Sequence, residues 1–161
     1  MAESTGNIAV GGVVLDKERA IIAKKGHGPL QGFWMIPGGG IKSGETLDGA
    51  IRREVEEETG VSTSVRGIIA VRSRVLEDGH ADVYVAFLLE RTAGETRPDG
   101  REITEVRSVN LEELQQLEPV TEFSRYLIRL VLTQKVQLLG PTGFLPFDFP
   151  KVAGSKYILF A

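Results

Sequence analysis

The sequence predicts a single α/β domain, because strand-like and helix-like segments alternate along a chain of 161 residues. Two observations support this class most directly. Residues 46–59 have the periodicity of an amphipathic helix. Residues 83–89 are so uniformly apolar that they fit a central strand covered on both faces of a sheet. The apolar fraction of 42% and the charged fraction of 25% are ordinary for a protein with a buried core.

The first elements are predicted to be a β-hairpin and a long loop. Residues 8–15 and 20–23 are apolar and flank the turn-prone pair Asp16-Lys17. Eight glycines or prolines then lie between Lys24 and Gly44, a density that excludes a helix. Long loops in compact domains are usually functional, so this segment is a candidate part of a site.

The helix at residues 46–59 is bounded by recognisable signals. Thr46 is a candidate N-cap, Asp48 suits the positive end of the helix dipole, and Gly60 is a natural residue just after the helix. Asn110 is a candidate cap for a later short helix. The remaining predicted elements are strands at residues 65–74, 83–89 and 103–109 and helices at residues 111–117 and 121–132.

The chain is predicted to consist of a domain at residues 1–139 and a C-terminal tail at residues 140–161. The tail contains five aromatic residues and three of the seven prolines. It is too apolar to remain in solvent, so we expect it to pack on its own domain, to cross to a partner subunit or to cover the active site. The sequence leaves these alternatives open.

Composition limits the partners and ligands of this chain. Lys and Arg number 19 against 22 Asp and Glu, and the basic residues are scattered, so long nucleic acid is not an expected partner. No apolar run approaches the roughly 20 residues of a membrane span, and the N-terminus lacks a signal-like pattern, so we expect a cytoplasmic protein without membrane association. With no cysteine and two histidines, any metal must be bound mainly through oxygen.

The helix at residues 46–59 has an unusual distribution of charge. At about 100° per residue, Glu54, Glu57 and Glu58 fall on the same arc as the apolar side chains. The opposite arc, expected to face solvent, includes Glu56 and Thr59. Like charges three and four residues apart repel, and partial burial raises the cost, so a cation must compensate. Carboxylate oxygens select a hard cation, which predicts Mg²⁺, with Mn²⁺ as an alternative.

A longer motif surrounds these glutamates. Gly39 is followed after five residues by Glu45, and after seven more by Arg53 and the run REVEEETGV that ends at Val61. This spacing resembles the Nudix box in full, and about ten specified positions make chance a poor explanation. The resemblance implies an α/β/α sandwich around a mixed β-sheet, in which the box forms a loop, a helix and a second loop.

The resemblance implies metal-binding roles within the box. Glu57 and Glu58 match the metal-binding pair of the family. Glu54 lies one turn earlier, where it would complete a divalent site or accept a proton from water. The backbone carbonyl of Gly39 resembles a further metal ligand, and the missing side chain would let the loop approach the metal and the phosphates closely.

Further positions are implied to orient groups or to act as the base. Arg53 and Glu45 resemble a pair that ties the loop to the helix, and we expect them to orient the site. In many family members a glutamate from the loop before a late strand joins the site, sometimes as the general base. Glu102 and Glu105 are the candidates here, and the sequence does not choose between them.

The implied activity is the cleavage by water of the diphosphate linkage of a nucleoside diphosphate derivative, with the metal neutralising the diphosphate. ADP-ribose and nucleotide sugars are the leading substrates, with nucleoside triphosphates, including oxidised ones, as the alternative. At the distance where ADP-ribose-type members have a proline, this chain has Leu76 and Glu77, which weakens an ADP-ribose assignment. Arg72, Arg74 and Phe33 are candidate contacts for a phosphate or a base.

A non-catalytic nucleotide-sensing domain is the alternative from another functional class. Such members usually lose acids from the box, whereas Glu54, Glu57 and Glu58 are all present. Cleavage of RNA 5′ ends would require a basic channel, which a net charge of -3 does not support. The expected partners are therefore a small nucleotide-derived substrate and a second copy of the chain, because the apolar tail suggests a homodimer.

Overall fold

A computed structural model describes residues 6–142 and 159–160. Within this part of the chain, seven strands form one mixed sheet. They are β1 (Asn7–Asp16), β2 (Arg19–Lys25), β3 (Trp34–Met35), β4 (Gly38–Gly40), β5 (Val61–Val75), β6 (Ala81–Gly94) and β7 (Ile103–Val109). The helices are α1 (Leu47–Thr59), α2 (Leu111–Gln116) and α3 (Glu122–Leu132). A separate two-stranded pair joins β8 (Pro141–Thr142) to β9 (Leu159–Phe160).

Strand β1 organises the sheet. It pairs in parallel with β6 along most of its length, and antiparallel with β2 and β4 on its other side. Strand β2 continues the sheet to β3 and β7, and β5 pairs with the outer side of β6. The predicted central strand is therefore confirmed, because β6 lies between β1 and β5.

Helices cover both faces of the sheet. Helix α1 packs on one face, where Ile51 belongs to a buried cluster that contains Phe87 of β6. Helices α2 and α3 pack on the opposite face, where Leu114 and Leu127 belong with Trp34 to a second buried cluster. These two clusters confirm the predicted α/β class and the layered arrangement of a sheet between helices.

Local patterns predicted most elements at close to their true bounds. The hairpin of β1 and β2, strand β7 and helices α2 and α3 are confirmed. Asn110 caps α2, since its side chain accepts the Glu113 N–H and the Glu113 side chain accepts the Asn110 N–H. Gly60 ends α1 in the left-handed conformation, with φ of 75°.

Three details differ from the sequence prediction. The loop after β2 contains β3 and β4, which form because the backbone there pairs with β2 and β1. Thr59, expected to face solvent, is fully buried, because β5 starts at Val61 and the Arg97 N–H donates to the Thr59 carbonyl at 2.9 Å. Thr46 precedes α1 as predicted, but its side chain makes no capping hydrogen bond.

Only part of the predicted tail belongs to the described residues. The ring of Phe160 lies edge-on to Phe87 with the ring centroids 5.5 Å apart, so this end of the chain contacts the core on the α1 face. The other tail aromatics lie outside the described residues, and the boundary at residue 139 stays a prediction. Within residues 6–142 and 159–160, no helix is long and apolar enough to cross a membrane.

Candidate active site

Glu58 is a buried carboxylate on the sheet-facing side of α1, with only 4% of its surface exposed. Its Oε2 accepts the Gly38 N–H at 2.8 Å. Burial raises the pKa of Glu58 to about 7, and the charges of Glu54 and Glu102 add to this effect. The Gly38 hydrogen bond and the ammonium of Lys25 oppose it. The anion is therefore only partly compensated by its own surroundings.

Strand β4 approaches α1 and β1 so closely that it requires glycine. Gly38 has φ of 157°, and a Cβ there would lie 2.2 Å from the Val10 carbonyl oxygen. A Cβ on Gly39 would lie 2.7 Å from the carboxyl carbon of Glu54. The backbone of Gly39 thus lies directly against the Glu54 carboxylate, and a shared metal-binding role for the two residues stays a prediction.

Arg53 of α1 bonds to the loop before the helix and to two glutamates of the helix itself. It donates to both oxygens of Glu45 at 2.5 and 2.9 Å, to Glu54 at 2.6 Å and to Glu57 at 3.0 Å. It also donates to the Gly40 carbonyl at 3.1 Å. The bonds from Arg53 and from the Lys42 N–H lower the pKa of Glu45 to about 2, and the carboxylates around Arg53 raise the pKa of its guanidinium. The geometry fits the orienting role predicted for Arg53 and Glu45.

Glu57 lies at the outer side of this group. Its side chain is half exposed, and it pairs with Arg53 and with the Lys42 ammonium at 3.4 Å. Among the described residues, no three acidic or histidine side chains converge at metal-binding distances. The donors nevertheless fit a hard divalent cation, because they are carboxylates and a glycine carbonyl, and the charge of Glu58 is poorly neutralised.

The structure separates Glu102 from Glu105. Glu102 Oε2 lies 2.9 Å from Lys25 Nζ, and its charge contributes to the raised pKa of Glu58. Glu105 is paired with Lys24 and Arg107, each at 2.9 Å, and these two cations lower its pKa. Glu102 therefore belongs to the electrostatic surroundings of Glu58, and Glu105 belongs to a separate ion-pair cluster.

The predicted substrate residues lie in two places. Arg72 and Arg74 both donate to Asp82 Oδ2, at 2.9 and 2.7 Å. The Arg72 guanidinium also lies over the ring of Tyr84, 5.0 Å from its centroid. Phe33 lies elsewhere, where its carbonyl accepts the Lys25 N–H at 2.9 Å. The structure does not bring Phe33 together with the two arginines.

Sequence reasoning missed two residues beside Glu58. Lys25 ends β2, and nothing in the local pattern distinguishes it from its neighbour Lys24. In the sequence, Tyr84 is simply one residue of an apolar strand. In the structure its hydroxyl lies against the Gly11 backbone, because a Cβ on Gly11 would be 1.6 Å from the Tyr84 hydroxyl oxygen. Burial and the charge of Glu58 raise the pKa of Tyr84. Tyr84 pairs with Ala9 of β1, and its ring extends diagonally to Gly11, a contact that no local pattern in the sequence indicates.

Most of the chain is similar to known sequences. A family profile described as the NUDIX domain matches residues 6–131. The chain is 30% identical over 112 residues to the ADP-ribose pyrophosphatase of Methanocaldococcus jannaschii. The aligned region covers 68% of this chain and 65% of that protein. It is also 30% identical over 116 residues to the NAD-capped RNA hydrolase NudC of Photobacterium profundum. This second alignment covers 72% of this chain and 42% of that protein. The chain thus spans less than two thirds of each relative.

Solved structures share the fold. The MutT NUDIX hydrolase from Burkholderia pseudomallei superposes with a TM-score of 0.68 at 23% identity, covering 79% of this chain and 98% of that one. The NUDIX domain of Shewanella oneidensis NrtR, crystallised with ADP ribose, superposes with a TM-score of 0.69 at 18% identity, covering 83% and 91%. At these identities the likeness establishes the fold alone.

We expect Glu58→Gln to stabilise the metal-free protein at alkaline pH. Burial raises the pKa of Glu58 from 4.5 to about 7, so ionisation costs the folded state about 3 kcal/mol. This cost is absent below the unfolded pKa, grows as the pH rises towards 7 and is complete above it. A Gln side chain can still accept the Gly38 N–H.

The measurement is denaturant unfolding with a chelator, at about pH 4 and pH 8. Glu56→Gln is the matched control, because Glu56 is exposed on the same helix. At alkaline pH the Glu58 variant should be more stable than the wild type, whereas the control should not. Equal stability of the two variants at that pH would show that Glu58 ionises without cost.

Proposed function

Because the chain belongs to the NUDIX family, we propose that it is a Mg²⁺-dependent pyrophosphohydrolase that cleaves a nucleoside diphosphate derivative such as ADP-ribose or a nucleotide sugar. The observation that carries the proposal is the incompletely neutralised Glu58, buried beside Glu54 and Glu102. A buried acidic group of this kind is favourable only with a cation or a proton. The relative named ADP-ribose pyrophosphatase supports the substrate class.

The metal ligands in this proposal are Glu54, Glu57, Glu58 and the Gly39 carbonyl. When bound, Mg²⁺ or Mn²⁺ would neutralise the diphosphate and acidify the attacking water. Glu57 has the most exposed carboxylate of the three, and its pairing with Arg53 and Lys42 leaves it accessible from solvent. The buried carboxylate of Glu58 is held in place by the hydrogen bond that it accepts from the Gly38 N–H.

The remaining side chains bind or orient in this proposal. Glu102 takes the proton of the attacking water, because it is the candidate whose charge acts on Glu58. Arg53 and Glu45 are positioning residues that keep Glu54 and Glu57 directed towards the loop. Arg72 is the preferred substrate contact of the three predicted ones, since its guanidinium lies over Tyr84, whose hydroxyl is near the charge of Glu58.

The proposal includes a homodimer in the cytoplasm. Strand β5 forms one end of the sheet order, and it exposes 61% of Val71 and 74% of Val75. Leu139, which bridges to Ile68 of the same strand, is half exposed. Apolar side chains on an edge strand favour association with another chain.

A substrate panel tests the activity. ADP-ribose, nucleotide sugars and normal or oxidised nucleoside triphosphates are incubated with Mg²⁺, Mn²⁺ or chelator, and the products are separated by chromatography. We expect metal-dependent cleavage of a nucleoside diphosphate derivative to two monophosphates. Cleavage of triphosphates alone would replace the proposed substrate class, and metal binding without cleavage of any compound would favour a nucleotide-sensing domain.

Glu57→Gln should abolish most of the turnover found in that panel. The change removes a negative charge that binds metal, and its cost should exceed the roughly 10–100-fold that loss of an outer-shell partner causes. Because Glu57 is half exposed, the fold should persist, as circular dichroism would verify. Glu56→Gln, which removes an exposed charge next in sequence, is the control. Near-normal activity of the Glu57 variant would remove Glu57 from the metal site.

Multi-angle light scattering tests the dimer. We expect the wild type to have twice the mass of one 17.6 kDa chain. Val71→Lys with Val75→Lys should shift the mass towards the monomer, because two charges would be buried in a β5 interface. A wild type that stays monomeric at high micromolar concentration contradicts the dimer.

A further inference from the structure

Lys25 lies between two carboxylates of the proposed site. Its Nζ is 2.9 Å from Glu102 Oε2 and 3.8 Å from Glu58 Oε1, and its side chain is only 21% exposed. A single ammonium group therefore joins a loop carboxylate to a helix carboxylate. It is also one of the two influences that hold down the pKa of Glu58.

The backbone around Glu102 is held by hydrogen bonds that do not involve the Lys25 side chain. The Glu102 carbonyl accepts the Gly26 N–H at 2.7 Å. Asp99 Oδ1 accepts the backbone N–H groups of Arg101, Glu102 and Ile103 at 2.8 to 3.0 Å. The loop thus keeps its course through its own hydrogen bonds. The Lys25 ammonium, in contrast, contacts the carboxylate at the end of the Glu102 side chain.

We propose that Lys25 is a positioning residue that holds the Glu102 carboxylate beside Glu58 and that competes with the divalent cation for these carboxylates. The inference rests on the proposed function, since it assumes that Glu58 binds metal. Loss of the Lys25 charge has two opposite consequences. The metal binds more tightly, because a competing cation is gone, and turnover falls, because Glu102 is no longer directed towards the site.

Lys24 provides a matched control. It is the preceding residue of β2, but its ammonium pairs with Glu105 at 2.9 Å and lies 5.6 Å from the centroid of the Trp34 ring. Trp34 belongs to the core cluster on the α3 face, whereas Lys25 faces Glu58 of α1. Lys24→Met and Lys25→Met therefore remove the same charge from the same strand on opposite sides of the sheet.

The first measurement is Mn²⁺ binding to the full chain without substrate, monitored by the electron paramagnetic resonance signal of free Mn²⁺. Lys25→Met should lower the dissociation constant about threefold to tenfold, because the removed charge is close to Glu58 but partly exposed. Lys24→Met and Lys25→Arg should bind Mn²⁺ as the wild type does. Lys25→Gln repeats the test if the Met variant folds poorly.

The second measurement is turnover at saturating Mg²⁺, with a substrate cleaved in the panel. Lys25→Met should lower kcat about 10–100-fold with little change in KM, and Lys25→Arg should recover part of the loss.

Equal Mn²⁺ affinities of the Lys25 and Lys24 variants, or weaker binding after loss of Lys25, would overturn the inference while leaving the proposed function intact. A wild type that binds no Mn²⁺ would overturn both. A wild type that binds Mn²⁺ but cleaves nothing would overturn the function alone, and the comparison of the two lysine variants would then still decide the competition with metal.

Discussion

The burial of the Glu58 carboxylate is the constraint on which the rest of the site depends. A carboxylate at the boundary of an apolar core is costly unless hydrogen bonds and positive charge reach it. Here the Gly38 N–H reaches it, and β4 can deliver that group only because Gly38 has no side chain against β1. The hydrogen bond to Glu58 therefore depends both on the pairing of β4 with β1 and on the packing of α1 against these strands. The same segment then brings Gly39 against Glu54.

Local sequence patterns were sufficient for what depends on neighbouring residues. The carboxylate arc of α1 is a property of helical periodicity, so the burial of Glu58 and the partial burial of Glu54 could be predicted before any tertiary contact was known. The cap at Asn110 and the glycine at the end of α1 likewise depend on residues within one turn. Glu57, on the same predicted arc, is half exposed and pairs with Arg53 and Lys42, which periodicity alone does not predict.

The choice between Glu102 and Glu105 required the register between distant strands. Strand β7 pairs with β2, and a register irregularity lies between Lys24 and Lys25. Alternation along a strand sends neighbouring side chains to opposite faces, so Lys24 meets Glu105 while Lys25 meets Glu102 and Glu58. No pattern within β2 or β7 contains that information. The position of Tyr84 depends in the same way on register, because Tyr84 pairs with Ala9 of β1 and its hydroxyl extends diagonally to Gly11.

The charge balance of the site favours an additional cation. The acidic groups outnumber the basic groups that contact them: Glu45, Glu54, Glu57, Glu58 and Glu102 against Lys25, Lys42 and Arg53. The N–H groups of Arg53 are already bonded to three carboxylates and to the Gly40 carbonyl, and the Lys42 ammonium pairs with the outer carboxylate Glu57. The excess negative charge therefore remains at the buried end, where Glu58 retains a pKa of about 7 even with Lys25 nearby. In the proposed function, this end of the site would bind either a proton or a metal near neutral pH, so that metal affinity would be coupled to protonation of Glu58.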